Sequence, residues 1–441
     1  MKKKGIGIVG GGLLGMTLAL RLSEKGFDVS VIEGSSQLGG VAAPSKIGEY
    51  TWDRFYHVLL LSDSNLLDLL DELSLKDQVQ WGETKTGFFT DGHIYSMSNT
   101  MEFLTFPPLN LLDKFRLGWT IFYTSKLKSW ERLEKVFVMD WLKRLSGEKT
   151  FNRIWLPLLK SKLGENYKIT NASFIWASIS RMYAARRSGL KKEMFGYVYG
   201  GYAIVLDRFQ KHLNKMGVEI HFGSAVNKVT QNDGYAVAET IEGKSWKFDK
   251  VIMTVPCPQI PKLCPQLLSS EKQRFQSVTY QGVLCAALII KKPLAGYYVT
   301  NITDDWVPFT GVIEMTALVD KKCFDGNSLV YLPLYLIERD SYWDKADDEI
   351  KDEFLSALES MYPNFHKNEV LSFKISKANH VLAITTLNYS KELMPPMRTS
   401  LEHVFIVNSA QIPNGTMNVN EIIGLANRKA EEIGNLVSGK G

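Results

Sequence analysis

The chain has 441 residues, enough for two or three domains at roughly 150 residues each, which excludes a disulfide-stapled miniature. Hydrophobic residues make up 45% and charged residues 22%, with 34 Gly and 15 Pro scattered without period, which excludes disorder and collagen. The net charge of +5 is spread over interleaved acids and bases, which argues against nucleic acid as a partner.

Gly5 to Val9 reads as a short buried strand, Gly10 to Gly15 as a turn, and Leu13 to Lys25 as a helix closed by Gly26. The basic Met1 to Lys4 and the apolar run behind them imitate a signal peptide, but Gly10, Gly11, Gly12 and Gly15 interrupt it and Arg21 closes it. Phe27 to Glu33 alternates as a second strand and completes a βαβ unit. A helix over Asn65 to Leu75 follows, then a hairpin from Gly87 to Ser96 turning at Asp91-Gly92. The stretch from about Met101 to Ala185 is helical and aromatic, and is expected to form an inserted substrate domain. Gly200-Gly201 opens a helix to about Met216. Strands are expected at Val218 to Phe222, Val226 to Thr230, Tyr235 to Glu239 and Lys247 to Val255. Strands at Gly282 to Ile290, Val307 to Met315 and Leu329 to Leu336, with a helix over Asp347 to Met361, return to the second domain. A strand at Val404 to Asn408 and a helix from about Asn420 return to the first. Cys257, Cys264, Cys285 and Cys323 form no CxxC pair, so no metal site or disulfide framework is expected.

Gly10-x-Gly12-x-x-Gly15 stands where a phosphate-binding turn must stand, after a strand and opening a helix. The first glycine permits the tight turn, the second lets backbone approach a pyrophosphate, and the third lets helix pack on strand. Glu33 ends the second strand at the spacing where an acid accepts from ribose hydroxyls. Gly39-Gly40 offers a second stretch of close backbone, suited to a larger dinucleotide held extended. Gly243-Lys244-Ser245 lacks the earlier glycine of a P-loop, and neither HExxH nor GxSxG occurs.

Taken with these glycines, the sequence resembles the flavin amine oxidase superfamily, which includes protoporphyrinogen oxidases and phytoene desaturases. The matches run in order along the chain. Asp53-Arg54-Phe55-Tyr56-His57 resembles the family's acid-to-histidine segment near the flavin, and Gly200-Gly201 its re-entry into the cofactor domain. Ser224-Ala225-Val226 resembles the loop whose valine backbone contacts adenine, and residues 249–256 resemble the family's D-x-V-I-x-T-x-P strand. Gly415-Thr416-Met417-Asn418-Val419-Asn420 resembles the flavin-facing helix start. Asn408-Ser409 departs from the family's glycine-aspartate, leaving Ser409 able to make one hydrogen bond.

The resemblance implies FAD as cofactor and an α/β fold. A Rossmann-like FAD-binding domain of the glutathione-reductase-2 type would take residues 1–85, 199–275 and 395–441. A discontinuous α+β substrate domain would take residues 86–198 and 276–394. It further implies cofactor contacts at Gly10, Gly12, Gly15, Glu33, Gly39, Gly40, Val226, Ser409, Met417, Asn418 and Val419. Cys285 aligns where family amine oxidases carry a lysine near flavin N5, which favours desaturase-like or protoporphyrinogen-oxidase-like hydride transfer over amine oxidation. Cys285 and His57 are the candidate flavin-facing residues, each with an alternative reading as an ordinary packed side chain. The fold also resembles UDP-galactopyranose mutases, which use reduced flavin without net oxidation, and Rab GDP-dissociation inhibitors, which carry no flavin.

Three further features remain open. Arg181, Arg186, Arg187, Lys191 and Lys192 form a basic run suited to an anionic substrate or to a solvated helix end. Tyr297, Tyr298, Tyr331 and Tyr335 fall on or beside substrate-domain strands, as core or as cavity lining. A helix within Leu111 to Trp130 would present Leu112, Phe115, Trp119, Phe122 and Tyr123 either to a core or to a membrane surface. The expectation is a small, apolar substrate, a cytoplasmic location and weak peripheral contact at the inner face of the membrane.

Overall fold

The computed structural model describes residues 4–184, 193–415 and 417–439. Its first unit is the expected one. Strand β1 (Gly5–Val9) pairs in parallel with β2 (Asp28–Ile32), and helix α1 (Leu13–Glu24) joins them. Ile6, Ile8 and Val9 are all buried, the continuous apolar run of a strand covered on both faces. Among the described residues the sheet runs Glu219–His221, β2, β1, Lys250–Met253, Val404–Ile406, every pair parallel. The chain moves outward on one side of β1 and then resumes on the other. The crevice beyond the C-terminal end of β1 is therefore a topological switch point, where open α/β sheets bind ligands.

Four helices cover one face of this sheet: α1, Ser64–Glu72, Tyr202–Lys215 and Val419–Ser438. Their Leu, Ile and Val side chains pack on Ile6, Ile8 and Val29. A three-stranded antiparallel sheet, Val226–Asn232, Tyr235–Thr240 and Ser245–Phe248, covers the other face. The strand expected from Lys247 to Val255 is thus two strands. At Asp249, whose carboxylate accepts from Gly5 N at 2.6 Å, the chain leaves the antiparallel sheet and enters the parallel one.

A second, seven-stranded sheet is ordered Val370–Ala383, Tyr280–Ile290, Ser328–Leu336, Gly311–Glu314, Val299–Ile302, Thr86–Thr90, His93–Ser96. Asp91 and Gly92 both have positive φ, 54° and 73°, as a two-residue hairpin turn requires. Along Tyr280–Ile290 the side chains alternate between two cores. Leu284, Ala286 and Leu288 meet the helix Asp347–Met361, while Val283, Cys285 and Ala287 meet Trp52, Phe55 and Tyr331. The expected strand Val307 to Met315 shortens to Gly311–Glu314, since Pro308 cannot donate to a ladder. The aromatic stretch forms helices, with Asn99 and Asn110 capping Thr100–Thr105 and Leu111–Lys126 by accepting from Glu102 N and Asp113 N.

The glycine turn has two kinds of glycine. A Cβ at Gly15 would stand 2.0 Å from Gly10 O, whereas one at Gly12, at an ordinary φ of −69°, would meet only Gly40 Cα at 3.9 Å. Gly15→Ala is accordingly expected to lose about 1–3 kcal/mol or more, and Gly12→Ala to melt like the parent chain. Thermal unfolding of the two variants without nucleotide checks this contrast.

Candidate functional site

Two backbone turns cross at the switch point. Gly39 N donates to Gly11 O at 2.8 Å, and Gly12 and Gly39 form an isolated parallel bridge. Gly39 has φ of 113°, and a Cβ there would collide with Leu206 at 2.5 Å. Thr254, at the end of the neighbouring strand, donates its hydroxyl to Val9 O and Gly10 O and fixes the first turn from below. These contacts account for Gly39. They do not account for Gly12, which neither its φ nor any protein atom requires to be glycine. The space above Gly12 and Gly40 fits a group that the chain does not contain, brought against backbone at the N-terminus of α1, whose first N–H groups lack helical partners.

Glu33 sits beside that space. One carboxylate oxygen accepts from Gly11 N at 2.6 Å, the other from Ser35 N and Ser35 Oγ at 2.8 Å. Carboxylate oxygens accept more than one bond each, so the acid orders the turn and still has lone pairs to offer. Ser224 N donates to Glu33 O and Gly223 N to Ser35 O, which carries the Ala225-Val226 backbone alongside. The structure therefore brings Gly10, Gly12, Gly15, Glu33, Gly39, Gly40 and Val226 together.

At the C-terminal end Asn408 is fully spent. Its Oδ1 accepts from Ala410 N and its Nδ2 donates to Val255 O, leaving the half-buried Ser409 as the freer of the two. Asn418 caps the helix Val419–Ser438 by accepting from Glu421 N at 3.0 Å. Met417 packs on the helical core, and Val419 on the core of the parallel sheet. Gly415, at φ of 69°, lies so close to Thr385 Oγ1 that a Cβ would stand 2.8 Å away. Thr416 lies outside the described residues.

The segment from Asp53 to His57 links the two sheets. Asp53 is 2% exposed, accepts from Tyr202 N at 2.9 Å at the start of the helix Tyr202–Lys215, and takes the Tyr331 hydroxyl on its carbonyl. Burial pushes its carboxyl up to about 7. His57 Nδ1 lies 3.9 Å from the Asp53 carboxylate, its ring rests on Tyr202, and burial draws it down to about 4. Between those values both groups are neutral, and the contact is not an ion pair. Tyr56 and Tyr335 share a hydrogen bond at 3.0 Å, and Lys162 reaches the Tyr335 hydroxyl at 2.5 Å from the helix Leu156–Leu163. Nothing in the sequence marks Lys162, one of several lysines on a helix, nor Asn166, which donates to the buried Gln281.

For the other candidates, each of which the sequence left with two readings, the structure shows the following surroundings. Cys285 is fully buried in the middle of its strand, and burial raises its thiol pKa well above the ordinary range, the signature of a packed thiol. Arg181 is bound to the buried Asp63 at 2.7 Å, so it anchors a helix and is not available to a substrate anion. Arg186, Arg187, Lys191 and Lys192 lie outside the described residues. Tyr298 and Tyr331 are core.

Crossed glycine turns at a switch point, with a second sheet docked through a linking acid segment, define a two-domain dinucleotide-binding flavoprotein. The chain belongs to the flavin-containing amine oxidoreductase family, which it matches over residues 15–399. A 4,4'-diapolycopen-4-al dehydrogenase of Metabacillus indicus is 23% identical over 287 residues, covering 59% of this chain and 57% of that protein. A 15-cis-phytoene desaturase of Narcissus pseudonarcissus is 20% identical, covering 81% and 66%. The chain thus spans less than two thirds of these relatives' length. In fold it is similar to a protoporphyrinogen oxidase-like protein of Exiguobacterium sp. 255-15, with a TM-score of 0.77, 16% identity, and 98% and 99% of the two chains covered. The family is flavin-containing, and FAD is the cofactor of this chain.

Gly12→Asp places a side chain and a negative charge in the space above the turn, which the protein's own atoms leave free for the pyrophosphate, and is expected to yield folded protein without flavin. The visible spectrum after purification, beside a melting curve, checks it. Asp53→Asn tests the buried acid. Its carboxyl is held above the unfolded value of 3.8, so the stability it contributes is present below that pH and lost as pH rises through about 7. The loss is about 4 kcal/mol at about 1.4 kcal/mol per pH unit. Asparagine keeps the acceptor for Tyr202 N, so the variant should melt above the parent at pH 8 and the gap should close toward pH 4.

Proposed function

We propose that this protein is an FAD-dependent oxidoreductase that dehydrogenates an apolar substrate in the manner of desaturases and protoporphyrinogen oxidases, removing a hydride from one C–H bond while the proton of the adjacent C–H or N–H bond leaves to solvent. FAD, when bound, supplies the hydride acceptor. Gly12 and Gly40 would give the pyrophosphate its close backbone approach, Glu33 would accept from ribose, Val226 would meet adenine, and Asn418-Val419 would present a helix start. The observation that carries the reading is the face of Tyr280–Ile290 turned toward the Asp53–His57 segment. It offers Val283, Cys285, Ala287 and Ile289, with neutral phenols opposite, and no acid or base on the strand. These side chains are packed in the core between the sheets, so they hold no substrate themselves; they leave the region beside the Asp53–His57 segment dry and without a charge for an amine, which suits hydride removal from carbon. The names of the relatives, which include phytoene and zeta-carotene desaturases, support the same substrate class.

The helix Leu111–Lys126 supports a route for such a substrate. Leu111, Phe115 and Trp119 are 77%, 69% and 49% exposed, so the aromatic stripe is surface and not core. With the helix Thr100–Thr105 it frames an apolar groove of about 370 Å³ lined by Phe103, Leu104, Phe115 and Trp119. Arg116 and Lys126 are exposed on the same helix, and Lys128, Arg132 and Arg144, also exposed, line a neighbouring depression that begins at Tyr123. An apolar patch with basic residues beside it suits the surface of an anionic bilayer, and no helix of the described residues is long and apolar enough to cross one.

Two measurements follow. Under anaerobic conditions the flavin band should bleach with an apolar polyene or a porphyrinogen in detergent and persist with aliphatic amines; bleaching by amines alone would reverse the assignment. Full-length protein should sediment with anionic liposomes at low salt and less at high salt. Phe115→Ser with Trp119→Ser should abolish sedimentation without lowering the melting temperature, because both side chains are already in water.

A further inference from the structure

The two turns that cross at Gly12 and Gly40 contain no basic side chain in residues 10–15 or 36–43. A pyrophosphate carries two negative charges, and one helix N-terminus supplies only about half an elementary charge. The balancing cation must come from another part of the chain. The hairpin Pro44–Ile47 and Tyr50–Asp53 pairs Pro44 with Asp53, so the residue after Asp53 falls back beside the glycine pair. That residue is Arg54. Its Nε donates to Ala43 O at 3.2 Å and its Nη2 to Gly40 O at 2.5 Å.

A guanidinium has five N–H donors, and those two bonds leave three. Arg21, Arg153 and Arg181 are each paired with a carboxylate. No carboxylate of the described residues lies within ion-pair distance of Arg54, although it is half-buried. Burial lowers its pKa, the direction for a cation still lacking its anion. Its backbone is held by the Asp53 anchor: Tyr331 donates to the Asp53 carbonyl at 2.5 Å, and the Asp53 carboxyl accepts from Tyr202 N. Guanidinium matches phosphate oxygens better than ammonium does when it is oriented in advance.

We propose that Arg54 is the side chain that binds the FAD pyrophosphate, its two carbonyl bonds holding it at the glycine crossing and its remaining N–H groups meeting the phosphates. The inference rests on the FAD reading of that crossing and adds the charge partner that the turns themselves lack.

The test uses full-length protein and FAD fluorescence quenching, with ADP and adenosine as competitors. Arg54→Gln should weaken FAD and ADP tenfold or more and leave adenosine, which has no phosphate, within twofold. Arg54→Lys, which keeps the charge but not the guanidinium fork, should bind ADP more tightly than Arg54→Gln and less tightly than the parent, and binding no better than Arg54→Gln would overturn the charge role. Undiminished ADP binding by Arg54→Gln, or an equal loss of ADP and adenosine, would overturn the role of Arg54 alone. Failure of the parent protein to bind ADP or FAD would overturn the cofactor site with it.

Discussion

One hydrogen bond, Gly39 N to Gly11 O at 2.8 Å, fixes how close the two backbone turns come, and most of the site follows from that distance. Gly15 must lie flat on Gly10 for α1 to start where it does, and Leu206 must fill the space under Gly39. The helix that carries Leu206 begins at Tyr202, whose N–H is held by Asp53. Asp53 in turn ends the hairpin that starts beside Ala43. The cofactor cradle and the acid segment are therefore one closed loop of contacts, and the second sheet is fastened to it through the Tyr331 hydroxyl.

The interior of that loop is kept neutral. A buried carboxyl raised toward 7 and a buried imidazole lowered toward 4 show that desolvation dominates over their mutual attraction at 3.9 Å. The charges nearby are held by partners: Arg181 meets the buried Asp63, Lys162 meets a phenol, and Arg54 donates to two backbone carbonyls at the glycine crossing. A neutral interior is costly for an enzyme that shuttles protons and suitable for one whose substrate brings only carbon and hydrogen to the reaction.

Much of this was legible in the sequence because the signals are local. The βαβ unit, the Asp91-Gly92 hairpin and the helix Asp347–Met361 depend on neighbours in the chain, and the structure places them where periodicity does. The strand Val370–Ala383 gave no such signal. It lies at a sheet edge, only two of its fourteen residues are buried, and Lys374 and Lys377 break the alternation. The division at Asp249 was invisible for another reason: the residues on both sides are good strand formers, and only their different partners separate them. The stripe Leu112, Phe115, Trp119, Phe122 was legible as a helix, but its exposure was not, since periodicity reveals a face and not what covers it. Lys162 and Arg54 reach their places through sheet packing and hairpin register, which single residues do not announce.

The parallel sheet is assembled from four separate stretches of chain, and its last strand, Val404–Ile406, is made some four hundred residues after β1. The helix Val419–Ser438 then covers α1, made some four hundred residues earlier. During translation the first βαβ unit thus waits, with its apolar helix face open, until some four hundred further residues have emerged. Contacts this distant in sequence make for slow folding and a long exposure to chaperones. Any nucleotide contact that needs Asn418 therefore becomes available some four hundred residues after the glycine turn.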